Sequence, residues 1–249
     1  MQALLSLLNE AVLINFLLLF ARILAFMAFM PIFGHQVVQA RIKVGLSFFF
    51  TIFLFPIIDV ESNVTQATFF QAILTEITLG AIAALFVNII FDAVKVIGEF
   101  VGYATALSMA NFFDPASGSQ LGIVAKFLFY ISLAIYFESG LYEMTLVMLV
   151  KSFSMINLGT FDIFSYDGIQ IIIDEIQRMF AFAFSFAFPL FFIGFIMDVY
   201  YGYGTKSMPA FSPFVITFQL KFAVIFLFMM LGMEIFSENF VNYFITKFQ

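Results

Sequence analysis

The sequence has no cysteine and a single histidine, His35. The first absence excludes disulfides, thiolate nucleophiles and most zinc sites. The second confines any Ser-His-Asp arrangement to His35, which follows Pro31 in a basic loop and reads as a solvated side chain. There is no His-Glu-x-x-His metal motif, no phosphate-cradling glycine loop and no Gly-x-Ser-x-Gly elbow. Adjacent carboxylates occur at Asp174-Glu175, with Arg178 one turn on, and read as charges complementing a helix N-terminus. These residues offer no enzyme chemistry and call for no cofactor and no metal. Charge is scarce as well: charged residues make up 10% of the chain, and a net charge of −6 is spread too thinly for a nucleic-acid partner.

What the chain has in quantity is apolar surface. Hydrophobic residues make up 63% of its 249 positions, 41 of them Phe, and the mean hydropathy is +1.09. Soluble domains are nearer about 45–50% apolar and roughly 25% charged, so this is an integral membrane protein in contact with lipid. Apolar stretches long enough to span, at about 20 residues each, fall near 4–30, 40–58, 67–91, 122–150, 170–201 and 213–236. Together they predict an all-α membrane protein of about six hydrophobic helical segments. The first stretch has no basic flank and is too long for a signal-peptide core, so it reads as a retained helix. No soluble domain, low-complexity tract or repeat interrupts the chain, which reads as one membrane-embedded domain over 1–249. If all six stretches cross, the basic connections place both termini outside.

One region breaks the membrane pattern. Asp92, Lys95 and Glu99 lie in an otherwise apolar helix, where each charge facing lipid would cost roughly 2.5–3.5 kcal/mol. Lys95 follows Asp92 by three residues and precedes Glu99 by four, so the three share one helix face and can neutralise one another. The segment is therefore expected against protein or water, and loss of Lys95 is expected to strand two carboxylates. Gly98-x-x-x-Gly102 on the same helix permits close helix contact. Then comes Ala110-Asn111-Phe112-Phe113-Asp114-Pro115-Ala116-Ser117-Gly118. Pro115 biases Asp114 away from helix, so Asp114-Pro115 is expected to end the helix and open a Ser/Gly loop. Broken backbone at membrane depth is tolerated where it lines a cavity or packs on protein, which makes this loop a candidate functional site. Further charges sit inside apolar stretches: Glu10, Arg22, Glu76, Glu138, Glu143, Lys221 and Glu234. They need partners, and surrounding subunits are expected to supply them.

These residues resemble the FliR family of flagellar type III export-gate proteins and their virulence-secretion relatives. The likeness runs through Arg22, Pro31-Ile32, Arg41-Ile-Lys43-Val-Gly45-Leu46, Glu76, Leu79-Gly80, Gly98-Glu99, Gly102, Leu107-Ser108, Asp114-Pro115-Ala116-Ser117, Phe188-Pro189-Leu190, Gly204, Pro209 and Phe214. The spacing from Gly98-Glu99 to Asp114-Pro115 on a charged, broken helix is its specific part. Departures fall at Lys206, where the family commonly has Arg, at Ser139-Gly140-Leu141, and at Gln219, where the family has a proline. The resemblance implies helices packed as hairpins in an assembly with FliP-like and FliQ-like subunits, alongside FlhB-like and FlhA-like export components. It implies a place in the bacterial inner membrane at the flagellar basal body, with unfolded proteins as the cargo. It also implies that the loop around Asp114 to Ser117 is a plug in the closed pore; Phe112-Phe113 supply bulk able to fill a narrow apolar channel, so Ala110 to Gly118 are expected to cross the lumen. Two rival readings remain at this point: a secondary transporter whose midplane charges bind ions or solute, and a structural subunit that nucleates assembly.

Overall fold

The computed structural model describes residues 10–33, 38–58, 64–107, 121–161, 168–207 and 214–248. Ala110 to Gly118, the expected plug, lie outside the described residues. Among the described residues there are eight α-helices, one short 3-10 turn at Pro31–Phe33 and no strand. The helices are α1 (Glu10–Phe29), α2 (Ala40–Leu54), α3 (Phe69–Ala104), α4 (Ile123–Glu138), α5 (Leu141–Met155), α6 (Gly168–Ser207), α7 (Phe214–Leu231) and α8 (Met233–Phe248).

Among the described residues the six apolar stretches do not become six spans. Helices α1, α3 and α6 are each long and apolar enough to cross a membrane, while α4–α5 and α7–α8 are bent pairs at 72° and 53°. Among the described residues this gives three crossings, or five if each bent pair is one broken span. The fourth stretch bends because Gly140 takes φ +69, a left-handed conformation that glycine adopts without penalty. The second stretch folds as α2, which has 15 residues and is roughly 22 Å long at 1.5 Å per residue. That is short of a hydrocarbon core of about 30 Å. The placement of both termini outside rested on six crossings and lapses with them.

The chain divides into two compact units: residues 1–89 with 142–175, and residues 90–141 with 176–249. Helices α3 and α6 contribute to both.

In the first unit α1 and α2 pack as a hairpin, with Phe16 and Phe20 of α1 edge-on to Phe48 of α2. Helix α2 is inside out. Its buried residues are Lys43, Ser47 and Thr51, whereas Ile42, Phe49, Ile52 and Phe53 are exposed. The Ser47 and Thr51 hydroxyls donate to carbonyls one turn back, Lys43 O and Ser47 O, so burying them leaves no donor orphaned.

The second unit has an aromatic core. Phe91 meets Phe129, Tyr136 and Phe240 at centroid distances of 5.7, 5.7 and 5.8 Å, and Tyr136 meets Phe244 at 5.5 Å. Edge-to-face pairs of this kind add roughly 0.5–1.5 kcal/mol each beyond area burial. Helix α6 runs on through Pro189 and leaves Phe188, Phe192, Phe195 and Tyr203 exposed.

Candidate functional site

Within the second unit, α3 places Asp92, Lys95 and Glu99 on successive turns. The Lys95 ammonium lies 2.7 Å from Asp92 Oδ1 and 5.5 Å from the Phe129 ring centroid. Both side chains are part-exposed, 26% for Lys95 and 47% for Asp92. Glu99 has a different partner: its Oε1 accepts the Gly122 backbone N–H at 2.6 Å. Gly122 is the N-cap of α4, so a carboxylate meets the N–H groups that a helix start leaves unpaired and the positive end of its dipole. The structure therefore joins Asp92 to Lys95 and gives Glu99 to a helix start.

Gly98 lies directly against α4. A Cβ there would collide with the Ala125 backbone, whereas a Cβ at Gly102 would meet nothing within 4 Å. Helix α3 ends at Ala104, well before Asp114-Pro115, through a turn in which Ala106 takes φ 58 and donates to Tyr103 O. The sequence signal at Asp114-Pro115 is thus not what stops this helix. The Glu99–Gly122 bond and the Gly98–Ala125 contact tie together the two flanks of residues 108–120.

The first unit holds a charged site that the sequence marked only as separate residues. Arg22 of α1 and Glu76 of α3 are both 0% exposed. Arg22 Nε and Nη2 donate to Glu76 Oε2 and Oε1 at 2.5 and 3.1 Å, the bidentate fork that suits a guanidinium to a carboxylate. The remaining donors reach Ser152 O at 3.0 Å, Ser152 Oγ at 3.3 Å and Ile156 O at 3.1 Å, at the C-terminal end of α5. The guanidinium carbon sits 4.4 Å from the Phe153 ring centroid. Glu76 Oε1 also accepts the Gly159 N–H at 2.8 Å. Gly159 takes φ +74, and a Cβ there would crowd the Val64 side chain at 2.7 Å. One turn above Glu76, a Cβ at Gly80 would run into Arg22 O, so α1 and α3 touch backbone to backbone beside the pair.

Other charged and polar side chains also meet helix ends or each other. Lys43 Nζ donates to Ala28 O at 3.4 Å and Asn88 Nδ2 to Phe29 O at 2.6 Å, at the C-terminal end of α1. In the second unit Lys221 Nζ reaches both Asp198 oxygens, at 2.8 and 2.6 Å. Arg22, Glu76 and Lys221 thus find partners within the chain, contrary to the expectation that other subunits supply them. Glu138, Glu143 and Glu234 are exposed. The one available signal for the Arg22–Glu76 pair was its complementary signs, each isolated in a separate apolar stretch. Asp198 carried no such signal.

This architecture has named relatives. The family model for "Bacterial export proteins, family 1" matches residues 13–246. The flagellar biosynthetic protein FliR of Bacillus subtilis (strain 168) is 28% identical over 228 residues, covering 88% of this chain and 86% of that protein. FliR of Aquifex aeolicus (strain VF5) is 24% identical over 239 residues, 95% of this chain and 92% of that protein. FliR of Escherichia coli (strain K12) is 25% identical over 205 residues, 82% and 78%. With the family match running from the first helix to the last, this all-α membrane protein belongs to the bacterial export proteins, family 1.

Proposed function

We propose that this chain is a subunit of the flagellar type III export gate, helping to form and seal the channel that passes unfolded flagellar proteins across the bacterial inner membrane. The observation that carries this reading is the family match over residues 13–246, together with relatives that share the name flagellar biosynthetic protein FliR over most of their length. The geometry supports it physically. Helix α2 turns its apolar side outward, and α6 leaves a run of Phe and Tyr uncovered, as suits a subunit whose outer faces are packed by FliP-like and FliQ-like helices. Arg22, Glu76, Lys95, Glu99 and Lys221 are spent on pairing and on helix ends, which suits a role without covalent chemistry.

The segment from Ala110 to Gly118 takes the plug role in this reading. The Glu99–Gly122 bond joins described residues on either side of it in the chain. Deleting several of these residues is expected to leave assembly intact and make vesicles leaky to ions and small solutes. Unchanged permeability in an assembled gate would make the segment a connector.

Co-expression tests the reading as a whole. The tagged chain is expected to purify with FliP-like and FliQ-like subunits, and its deletion from a flagellated host to abolish motility. A stable lone chain that transports a solute in vesicles would favour the secondary-transporter reading instead.

A further inference from the structure

Between α2 and α5, within the first unit, lies an open cleft of about 310 Å³, at the low end of the roughly 300–1,000 Å³ typical of small-molecule sites. Phe50 and Leu54 of α2 face Leu146, Val147 and Val150 of α5 across it, and Lys151 completes the rim. No polar surface faces inward, so Lys151 lends the cleft its hydrocarbon stem while its ammonium stays outside. Among the described residues this ammonium has no hydrogen bond or ion pair, whereas Arg22, Lys43, Lys95 and Lys221 all do. The ordinary task of a lysine near a helix C-terminus is to complement the dipole. Here Arg22 already reaches Ser152 O and Ile156 O from the buried side.

A dry slot with a cation at its mouth that has no partner among the described residues matches an amphiphile with a hydrocarbon chain and an anionic head. We propose that this cleft holds an acyl chain of an anionic phospholipid, with the lipid phosphate paired to Lys151. Phe50 and Leu54 of α2 give the chain an apolar wall opposite α5, and the charge complementarity selects the headgroup. The site stands independently of the export-gate assignment.

The test uses the full chain reconstituted with equal amounts of phosphatidylglycerol and phosphatidylcholine, extracted into mild detergent, with retained lipid identified by native mass spectrometry. Wild type is expected to retain phosphatidylglycerol over phosphatidylcholine by about fivefold, the scale of one basic residue at an anionic surface. Lys151→Gln should bring the ratio to the input value while lipid is still retained. Val147→Trp, filling the cleft, should lower retention of both lipids. Both positions are exposed, so both variants should fold, with unchanged far-UV circular dichroism as the check. An unchanged ratio in Lys151→Gln, or unchanged retention in Val147→Trp, would overturn the proposal. So would a photocrosslinker at position 147 that captures a protein chain and no lipid in native membranes.

Discussion

Arg22 with Glu76 in the first unit, and Asp92, Lys95 and Glu99 in the second, all carry charge into apolar helices, yet they are held in different ways. The first pair is sealed, bidentate and 0% exposed, and its spare donors and acceptors reach Ser152, Ile156 and Gly159. The second set is open: Lys95 and Asp92 form one part-exposed bond, and Glu99 serves a helix start. The difference shows that burial, not the number of charges in a segment, decides what a charge is worth. A sealed pair is costly to break because whichever partner remains is left without solvent. An open pair can find water or another protein group. The contrast also shows a shared economy: where an apolar bundle must break its helices, charged side chains take up the loose backbone groups.

Breaking the sealed site should have the largest effect. Glu76→Leu leaves the Arg22 guanidinium buried without its carboxylate and is expected to cost about 3–5 kcal/mol, read as a fall in the thermal unfolding temperature by far-UV circular dichroism. The double variant Arg22→Met with Glu76→Leu sharpens the point. Apolar replacement of both members of an isolated buried pair is often neutral or stabilising. Here the carbonyls of Ser152 and Ile156 and the Gly159 N–H would lose partners too, so the double variant should recover only part of the loss. Full recovery would show that the capping bonds contribute nothing.

Next in size comes the close contact at α4. Gly98→Ala forces a methyl into the Ala125 backbone and is expected to cost about 1–3 kcal/mol, the usual range for overpacking. Gly102→Ala, where a Cβ meets nothing, is the control and should leave the isolated chain unaffected. If Gly102→Ala is harmless alone but blocks co-purification with FliP-like or FliQ-like subunits, then the open space beside it is filled in the assembly.

A smaller loss is expected for Glu99→Gln. The amide can still accept from Gly122 but loses the charge that favours a helix start, an effect of about 0.3–1 kcal/mol. Hydrogen exchange at the first amides of α4 is the measurement, and unchanged protection there would show that geometry alone suffices.

The helical class was legible from the continuous apolar runs of about 20 residues, because such a run in lipid can satisfy its backbone within itself only as a helix. The breaks were less so. Ser139-Gly140 and Gly232 sit inside stretches that hydropathy reads as continuous, because averaging over a span hides a break one or two residues long. Asp114-Pro115 drew attention from the true end of α3, where Thr105 Oγ1 bonds back to Val101 O and Ala106 turns left-handed without any proline or glycine. Spacing paired Lys95 with Asp92, as the structure has it, but at the sealed site the sequence located each ionised residue and not its partner. Arg22 and Glu76 are 54 positions apart, so only the packing of α1 on α3 brings them together. Local spacing overstated the Asp92–Lys95–Glu99 cluster in turn. It placed Glu99 on the same face as Lys95 but could not register a backbone N–H arriving from α4.

Among the charged positions the smallest effect in the isolated chain should come from Lys95, reversing the expectation from spacing that its loss strands two carboxylates. Glu99 keeps its Gly122 partner when Lys95 is gone, and Asp92 remains 47% exposed. An exposed i,i+3 pair contributes only about 0.2–1 kcal/mol, so Lys95→Gln should shift the unfolding temperature slightly in detergent. The same substitution in a co-purified gate asks whether that openness survives assembly. If FliP-like or FliQ-like helices cover this face, Asp92 loses its access to water along with its cation, and the cost should rise toward that of Glu76→Leu. Equal, small shifts in the lone chain and in the gate would mean that this face stays wet in the assembly. A larger shift in the lone chain than in the gate fits neither case, and would require Lys95 to hold the fold through contacts other than its bond to Asp92.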